Sequence, residues 1–436
     1  MLLNDLSEFC KEANESNSTL KKKEVIAKYP QCKPLWVLVY DVINYKYGLT
    51  SANLKKNKQL ISTVSVYTDI EDVLHALADR KYTGHAAISL VNKFIEDNKE
   101  HTQLIYNMLD RNLKTRTDAK LLNRVFPKVI PTFEVALAKS YKADMNLDFE
   151  KDTWLASHKL DGCRCLVFVD NDLNVKIMSR TGNEFLTLDT LKHVLLDWAE
   201  SPVQMEMLKN KVFDGEICLV DDTGKENFKD VMKYIHKKNY TIAKPKYCIF
   251  DLLTTDEFED RTSKITLTQR LATLSDFNLP NSVFSILEQR QINSLDELDA
   301  FMDEARENKW EGLMLRKDTI YAGKRSKDLL KLKDFHDAEY FVHGVVTGPI
   351  RYINTDTGIE VEEELLSKVV IHHKGSEVGV GSGFSLAQRK HYYTTPEDIL
   401  GRTITVTYFE ETEDENGKPS LRFPTLKHIY EEKRTT

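Results

Sequence analysis

The spacing of apolar residues changes near residue 129, and that change governs what the chain can fold into. Before it, apolar positions recur at helical intervals. In residues 83–98, Ala87, Ile88, Val91, Phe94 and Ile95 follow the i, i+3, i+4, i+7 pattern of a one-sided helix. Thr83 stands just ahead as a cap. Leu104, Ile105, Met108 and Leu109 repeat the pattern, and Thr117-Asp118 opens a further helix ending near Pro127. After residue 129, strand-like runs appear at Cys165–Val169, Val175–Met178, Val212–Val220 and Tyr247–Leu253. Helical stretches at 187–199 and 266–276 interrupt them. Strands mixed with helices, without regular βαβ spacing, predict an α+β domain with antiparallel sheets. Beyond Asp334 the runs are mostly strands (Tyr340–Thr347, Lys368–His373, Thr403–Phe409), with turns at Asp356-Thr357-Gly358 and Glu415-Asn416-Gly417. That texture suits a small β-barrel such as an oligonucleotide-binding (OB) fold. The expected division is an all-α segment 1–128, an α+β segment 129–334 and a β segment 335–436, which 436 residues can accommodate.

Composition narrows the class. Hydrophobic residues make up 41% and charged residues 30%, as in an ordinary soluble globular chain, and no apolar run is long enough to cross a bilayer. Asp5 and Glu8 lie where an export signal would be basic and then apolar. The six cysteines (10, 32, 163, 165, 218, 248) form no Cys-x-x-Cys pair, which argues against a zinc site or disulfide framework and fits a reducing interior. The net charge of −7 is uneven: residues 1–128 carry roughly +5 and the remainder roughly −12. Any polyanion would therefore meet the amino-terminal third first. Arg111, Lys114, Arg116, Lys120 and Arg124 cluster there in a helix–turn–helix stretch that could touch phosphates without reading base sequence.

The chemistry-bearing residues lie between 158 and 333. In His158-Lys159-Leu160-Asp161-Gly162-Cys163-Arg164, a lysine stands beside an acid, a glycine and an arginine at the mouth of a strand. By itself this reads as a surface turn or as a nucleophilic lysine. A free lysine has a pKa of about 10.4, so a nucleophile of this kind needs cationic neighbours, desolvation or a metal. It also needs cations for a triphosphate, carboxylates for magnesium and a stacking surface for a base. Each has a candidate downstream. Ser179-Arg180-Thr181-Gly182 puts an arginine at a turn. Asp214-Gly215-Glu216 and Glu311-Gly312 place carboxylates on apolar strands, and Phe250-Asp251 offers an aromatic. Lys331-Leu332-Lys333 sets two ammonium groups on one face of a strand.

Together, Lys159-x-Asp-Gly-x-Arg164, Ser179-Arg180-x-Gly182, Asp214-Gly215-Glu216, Phe250-Asp251, Glu311-Gly312-x-x-Leu315-Arg316 and Lys331-x-Lys333 resemble nucleotidyltransferase motifs I, Ia, III, IIIa, IV and V in order. The chain resembles the ATP-dependent DNA ligases of the covalent nucleotidyltransferase superfamily, which also holds RNA ligases and capping enzymes. The flanks favour DNA ligase: residues 111–127 look like part of a helical DNA-binding domain, and Leu421-Arg422-Phe423-Pro424 looks like part of a ligase OB domain.

The resemblance implies an ATP-grasp-like nucleotidyltransferase core and, by position, a role for each residue. Lys159 would take AMP from ATP, pass it to the 5′-phosphate of a nick, and allow the 3′-hydroxyl to displace it. Arg164, Arg180, Glu216, Phe250, Arg325, Lys331 and Lys333 would contact the nucleotide. Glu216 and Glu311 would hold Mg2+, or Mn2+ in its place, and Arg111, Lys114, Arg116, Lys120 and Arg124 would contact DNA. The implied partner is nicked double-stranded DNA, bound by a monomer in replication, repair or recombination. The implied location is intracellular: cytoplasmic in a bacterial or phage-infected host, nuclear in a eukaryote. Two alternatives are an RNA ligase and a non-catalytic binding protein with a degenerate core. One position departs from the pattern: Tyr430 stands where motif VI has an arginine, leaving Lys427 or Arg422 as substitutes for positioning pyrophosphate.

Overall fold

The computed structural model describes residues 2–142, 144–219, 228–237, 239–414 and 416–430. Val220 and Glu415, and the end of the motif VI region at 431–433, lie outside them. Two compact units emerge: Met1–Thr132 with His336–Thr436, and Phe133–Phe335.

The amino-terminal part of the first unit is helical. Helix Gly84–Asp97 begins after the N-cap Thr83 and buries Ala87, Ile88, Val91 and Phe94, the residues whose spacing announces it. Helix Thr102–Leu109 buries Leu104, Ile105, Met108 and Leu109. Asp118 caps helix Ala119–Val125, its carboxylate accepting the Leu121 amide at 2.8 Å. Earlier helices add Phe9 and Trp36, whose rings meet edge to face at 5.0 Å in the same core.

The carboxyl-terminal part of this unit is an antiparallel five-stranded sheet. Its strands run in the order Ser376–Val380, Glu360–His373, His336–Ile353, Thr403–Tyr408, Thr425–Ile429. One parallel bridge, Ser382 to Thr425, joins its two edges, so the described strands form an OB-like sheet with a single link where a barrel would close. The long hairpin of His336–Ile353 and Glu360–His373 turns at Gly358, with a φ of +66°.

The second unit holds two five-stranded sheets. One orders its strands Leu137–Ser140, Arg325–Leu332, Leu313–Lys317, Trp154–His158, Arg290–Ile292. The other runs Val175–Ser179, Cys163–Val169, Lys211–Cys218, Lys246–Thr254, Phe284–Ile286. Most pairings are antiparallel; among the described residues only Leu137–Ser140 with Arg325–Leu332 and Lys246–Thr254 with Phe284–Ile286 run parallel as paired strands. Helices Asp189–Trp198 and Leu267–Ser275 contribute Leu191, Leu195 and Leu274 to the core on one face of the second sheet.

Candidate active site

Register in the first sheet brings distant residues together. Leu313 pairs with both His158 and Leu332, so the residues flanking these strand ends, Lys159, Glu311 and Lys333, become neighbours. Lys159 donates its amide to the Gly312 carbonyl at 2.9 Å. Glu311, whose side chain is only 6% exposed, accepts the Lys159 ammonium on one carboxylate oxygen and the Lys333 ammonium on the other. A buried carboxylate holding two ammonium groups leaves net positive charge in the pocket, which suits an anionic ligand. Gly312 makes this approach possible. Its φ is +131°, and a Cβ there would fall 2.0 Å from the Leu332 carbonyl oxygen.

Lys331 lies one pleat away on the same face as Lys333. Burial depresses its pKa, and the charges of Lys333, Lys159 and Arg325 depress it further. An incoming phosphate would relieve that repulsion. Arg325, at the start of the same strand, donates its guanidinium to the Ala138 carbonyl of the neighbouring strand Leu137–Ser140.

The second sheet supplies the other residues. Arg164 and Glu216 are cross-strand partners. The Glu216 carboxylate accepts the Gly162 amide at 3.1 Å, gripping the turn that follows Lys159. Burial pushes the Glu216 pKa up to about 7, against the opposing pull of Lys159, the Gly162 amide and Arg164. Arg164 places its fork on Asp214 at 2.9 and 2.5 Å and donates to the Ala136 carbonyl at 2.6 Å. Burial opposes its charge, but the adjacent carboxylate prevails and holds the guanidinium ionised.

Phe250 is half-buried on its strand between the buried Ile249 and Asp251, so alternation turns its ring to the face opposite theirs. Arg164 and Arg316 approach that ring at 5.5 and 5.1 Å from its centroid. Arg180 is exposed on a turn closed by Ser179 donating to the Asn183 carbonyl at 2.7 Å and by Gly182 at φ +78°.

Three contributors carried no assigned role from sequence. Asp214 receives Arg164. Arg316, buried beside Phe250, donates to the Ser157 hydroxyl at 2.7 Å, and burial lowers its pKa to about 10. His158 stacks on Trp310 with centroids 4.3 Å apart, packing the residue before Lys159 against the residue before Glu311. Asp214 and Arg316 stand inside motifs already singled out, but their partners depend on strand register.

In the amino-terminal segment, the basic residues divide. Arg111 turns inward, donating to the Val39 and Asp41 carbonyls at 3.2 Å with its guanidinium over Tyr47. Lys114 pairs with Glu360 of the long hairpin, which also accepts Asn112 at 2.9 Å. Arg116 reaches the Gly358 carbonyl at 3.4 Å. Lys120 and Arg124 are exposed on helix Ala119–Val125. At the other end, Tyr430 donates to Glu339 at 2.8 Å, while Lys427 and Arg422 pair with Asp337 and Glu410.

Residues 135–333 match the family model "ATP dependent DNA ligase domain", and residues 361–429 match "DNA ligase OB-like domain". The chain belongs to the ATP-dependent DNA ligase family. The DNA ligase of Enterobacteria phage T6 is 26% identical over 412 residues, covering 84% of this chain and 82% of that protein. DNA ligase 1 of Saccharomyces cerevisiae is 28% identical over 320 residues, covering 66% of this chain and 39% of that protein. The solved structure "Pmar-Lig_Pre." superposes with a TM-score of 0.80 at 22% identity, covering 97% of this chain and 98% of the other, and shows the shared ligase fold. The first matched span contains every pocket residue described above, from Ala136 to Lys333.

The donor set for a metal in this ligase is small. Among the described residues no group of three or more His, Cys, Asp or Glu side chains could hold an ion. Glu216 and Glu311 sense each other's charge across the pocket. Two carboxylates completed by phosphate oxygens and water are what magnesium accepts.

Proposed function

We propose that this ligase seals nicks in duplex DNA with Lys159 as the nucleophile. The observation that carries the reading is the Glu311 carboxylate shared by Lys159 and Lys333, in the same unit as Phe250 and its two arginines. The Lys159 nitrogen, once deprotonated, attacks the α-phosphorus of ATP; an N–P bond forms and the P–O bond to pyrophosphate breaks. The 5′-phosphate at the nick then displaces Lys159 from the AMP phosphorus. Finally the 3′-hydroxyl attacks the activated 5′-phosphorus, and AMP leaves. Transfers of this kind require placement and charge neutralisation more than covalent assistance.

Lys331, Lys333 and Arg325 would bind the phosphates, Phe250 would stack on adenine, and Arg164 and Arg180 would meet ribose and the nick phosphate. Glu216 and Glu311 would hold Mg2+, which when bound neutralises charge developing on the phosphates. Residues 1–128 would grip the duplex through Lys114, Arg116, Lys120 and Arg124, with Arg111 shaping their loop. Residues 129–334 would carry adenylation and 335–436 the OB contact, in a chain acting as a monomer inside the cell.

Purified protein given labelled ATP and magnesium should acquire a covalent label, and Lys159→Ala should acquire none. Undiminished labelling of the alanine variant would remove Lys159 from the reaction. A panel of nicked DNA against broken RNA then identifies the polynucleotide joined.

A further inference from the structure

The catalytic unit carries a second basic surface that the adenylation pocket does not use. Between Phe228 and Ile249 the sequence has six lysines and one acid, Asp230, in a chain of net charge −7. In the structure, Tyr234 in the last turn of helix Phe228–Ile235 stacks on Tyr240 of the loop that follows, centroids 5.3 Å apart and planes within 22°. The Lys233 ammonium lies 5.1 Å from the Tyr234 centroid, and Lys237 lies 5.5 and 4.5 Å from those of Tyr234 and Tyr240. Lys233, Lys237 and Lys244 are exposed. No carboxylate pairs with any of them among the described residues. Lys246 is different: its ammonium is satisfied by the Asn281 carbonyl at 2.7 Å.

Placement gives this surface its meaning. In the second sheet, Cys163 pairs with Ile217, Cys165 with Ser179, and Cys218 with Lys246. The Gly162 turn, the Arg180 turn and both ends of the lysine-rich connection therefore leave the sheet at one end. The loop is pinned to the segment that follows the Arg180 turn: His236 packs on Phe185 at 5.5 Å, and the Ile242 amide donates to the Thr187 carbonyl at 2.8 Å. Both tyrosines pack partly into the core below, so they support the stems of Lys233 and Lys237, while Lys244 is exposed further along the same loop.

We infer that Lys233, Lys237 and Lys244 form a phosphate-backbone contact for duplex DNA on the catalytic unit, continuing outward from Arg180 and separate from the basic segment 111–124. The assignment rests on the nick-sealing reading and adds to it a second anchoring point. Lysines act here as point charges, so the contact is independent of base sequence. Each phosphate released should lower the salt dependence of binding by about 0.9 in log K against log salt.

The test is nicked-duplex affinity, by fluorescence anisotropy from 50 to 200 mM salt, for the full chain and for Lys233→Gln/Lys237→Gln/Lys244→Gln. The triple variant should bind more weakly with a slope shallower by about 2 to 3, while label uptake from ATP without DNA stays at the wild-type level. Lys233→Gln and Lys244→Gln alone, which leave the tyrosine stack in place, should each flatten the slope by about 1. An unchanged slope and affinity in all three variants, with label uptake intact, overturns the assignment. A wild-type protein that takes up no label overturns the ligase reading and this inference with it.

Discussion

Asp214 is 1% exposed, and its carboxylate faces the Arg164 fork within the sheet. Removing one partner from such a pair strands the other charge in a low-dielectric interior, at a cost of about 3–5 kcal/mol. Asp214→Ala should therefore lower the thermal midpoint well beyond an exposed control such as Asp172→Ala; equal midpoints would show the pair to be dispensable. His158 offers a test of opposite character. Burial, aided by Lys159, holds its pKa at about 4, below the ordinary value of 6.5. Between those values the unfolded chain binds a proton that the native chain refuses, so stability falls as pH drops from about 6.5 toward 4. His158→Gln removes this penalty. Urea unfolding at pH 7, 6 and 5 should show the variant gaining on wild type at each step down, and parallel curves would contradict the burial argument.

Among the elements, the strand ends at 158, 313 and 332 decide the pocket. The sequence marks Glu311, Lys331 and Lys333 as strand-borne charges, because carboxylates and paired lysines within apolar runs require a reason. It does not show that Glu311 bridges Lys159 and Lys333, since that depends on which strands lie adjacent. Gly312 permits the bridge through its positive φ and its closeness to Leu332. Gly312→Ala would push those strand ends apart. A misplacement of about 1 Å can cost on the order of 100-fold in rate, so label uptake by Gly312→Ala should fall by a factor of that order. Retention of wild-type uptake would mean the close approach is not needed.

For the whole molecule, the chain's two ends share one compact unit, and the Lys114–Glu360 pair is part of what joins them. Both side chains are largely covered, which places the pair toward the upper part of the usual range of about 0.2–1 kcal/mol. A double-mutant cycle of Lys114→Ala and Glu360→Ala, followed by denaturant unfolding, should return a coupling of that size. The exchanged pair, Lys114→Glu with Glu360→Lys, should recover most of the loss from either reversal. Strictly additive effects would show that the contact contributes nothing.

Local pattern alone determined much of this protein. Helical spacing over 83–109 and the change to strands beyond 129 follow from which side chains must leave water, and that information is written within a few residues of each position. The ordered motifs from Lys159 to Lys333 marked the candidate chemistry in the same way. Tertiary structure decided the partners. Arg111 turned inward to carbonyls near residue 40, Lys114 went to Glu360, Asp214 took Arg164, and Arg316 took its place beside Phe250. Each of these contacts joins residues 50 or more positions apart. Their meeting depends on strand register and on how segments pack, and a local periodicity carries no record of either.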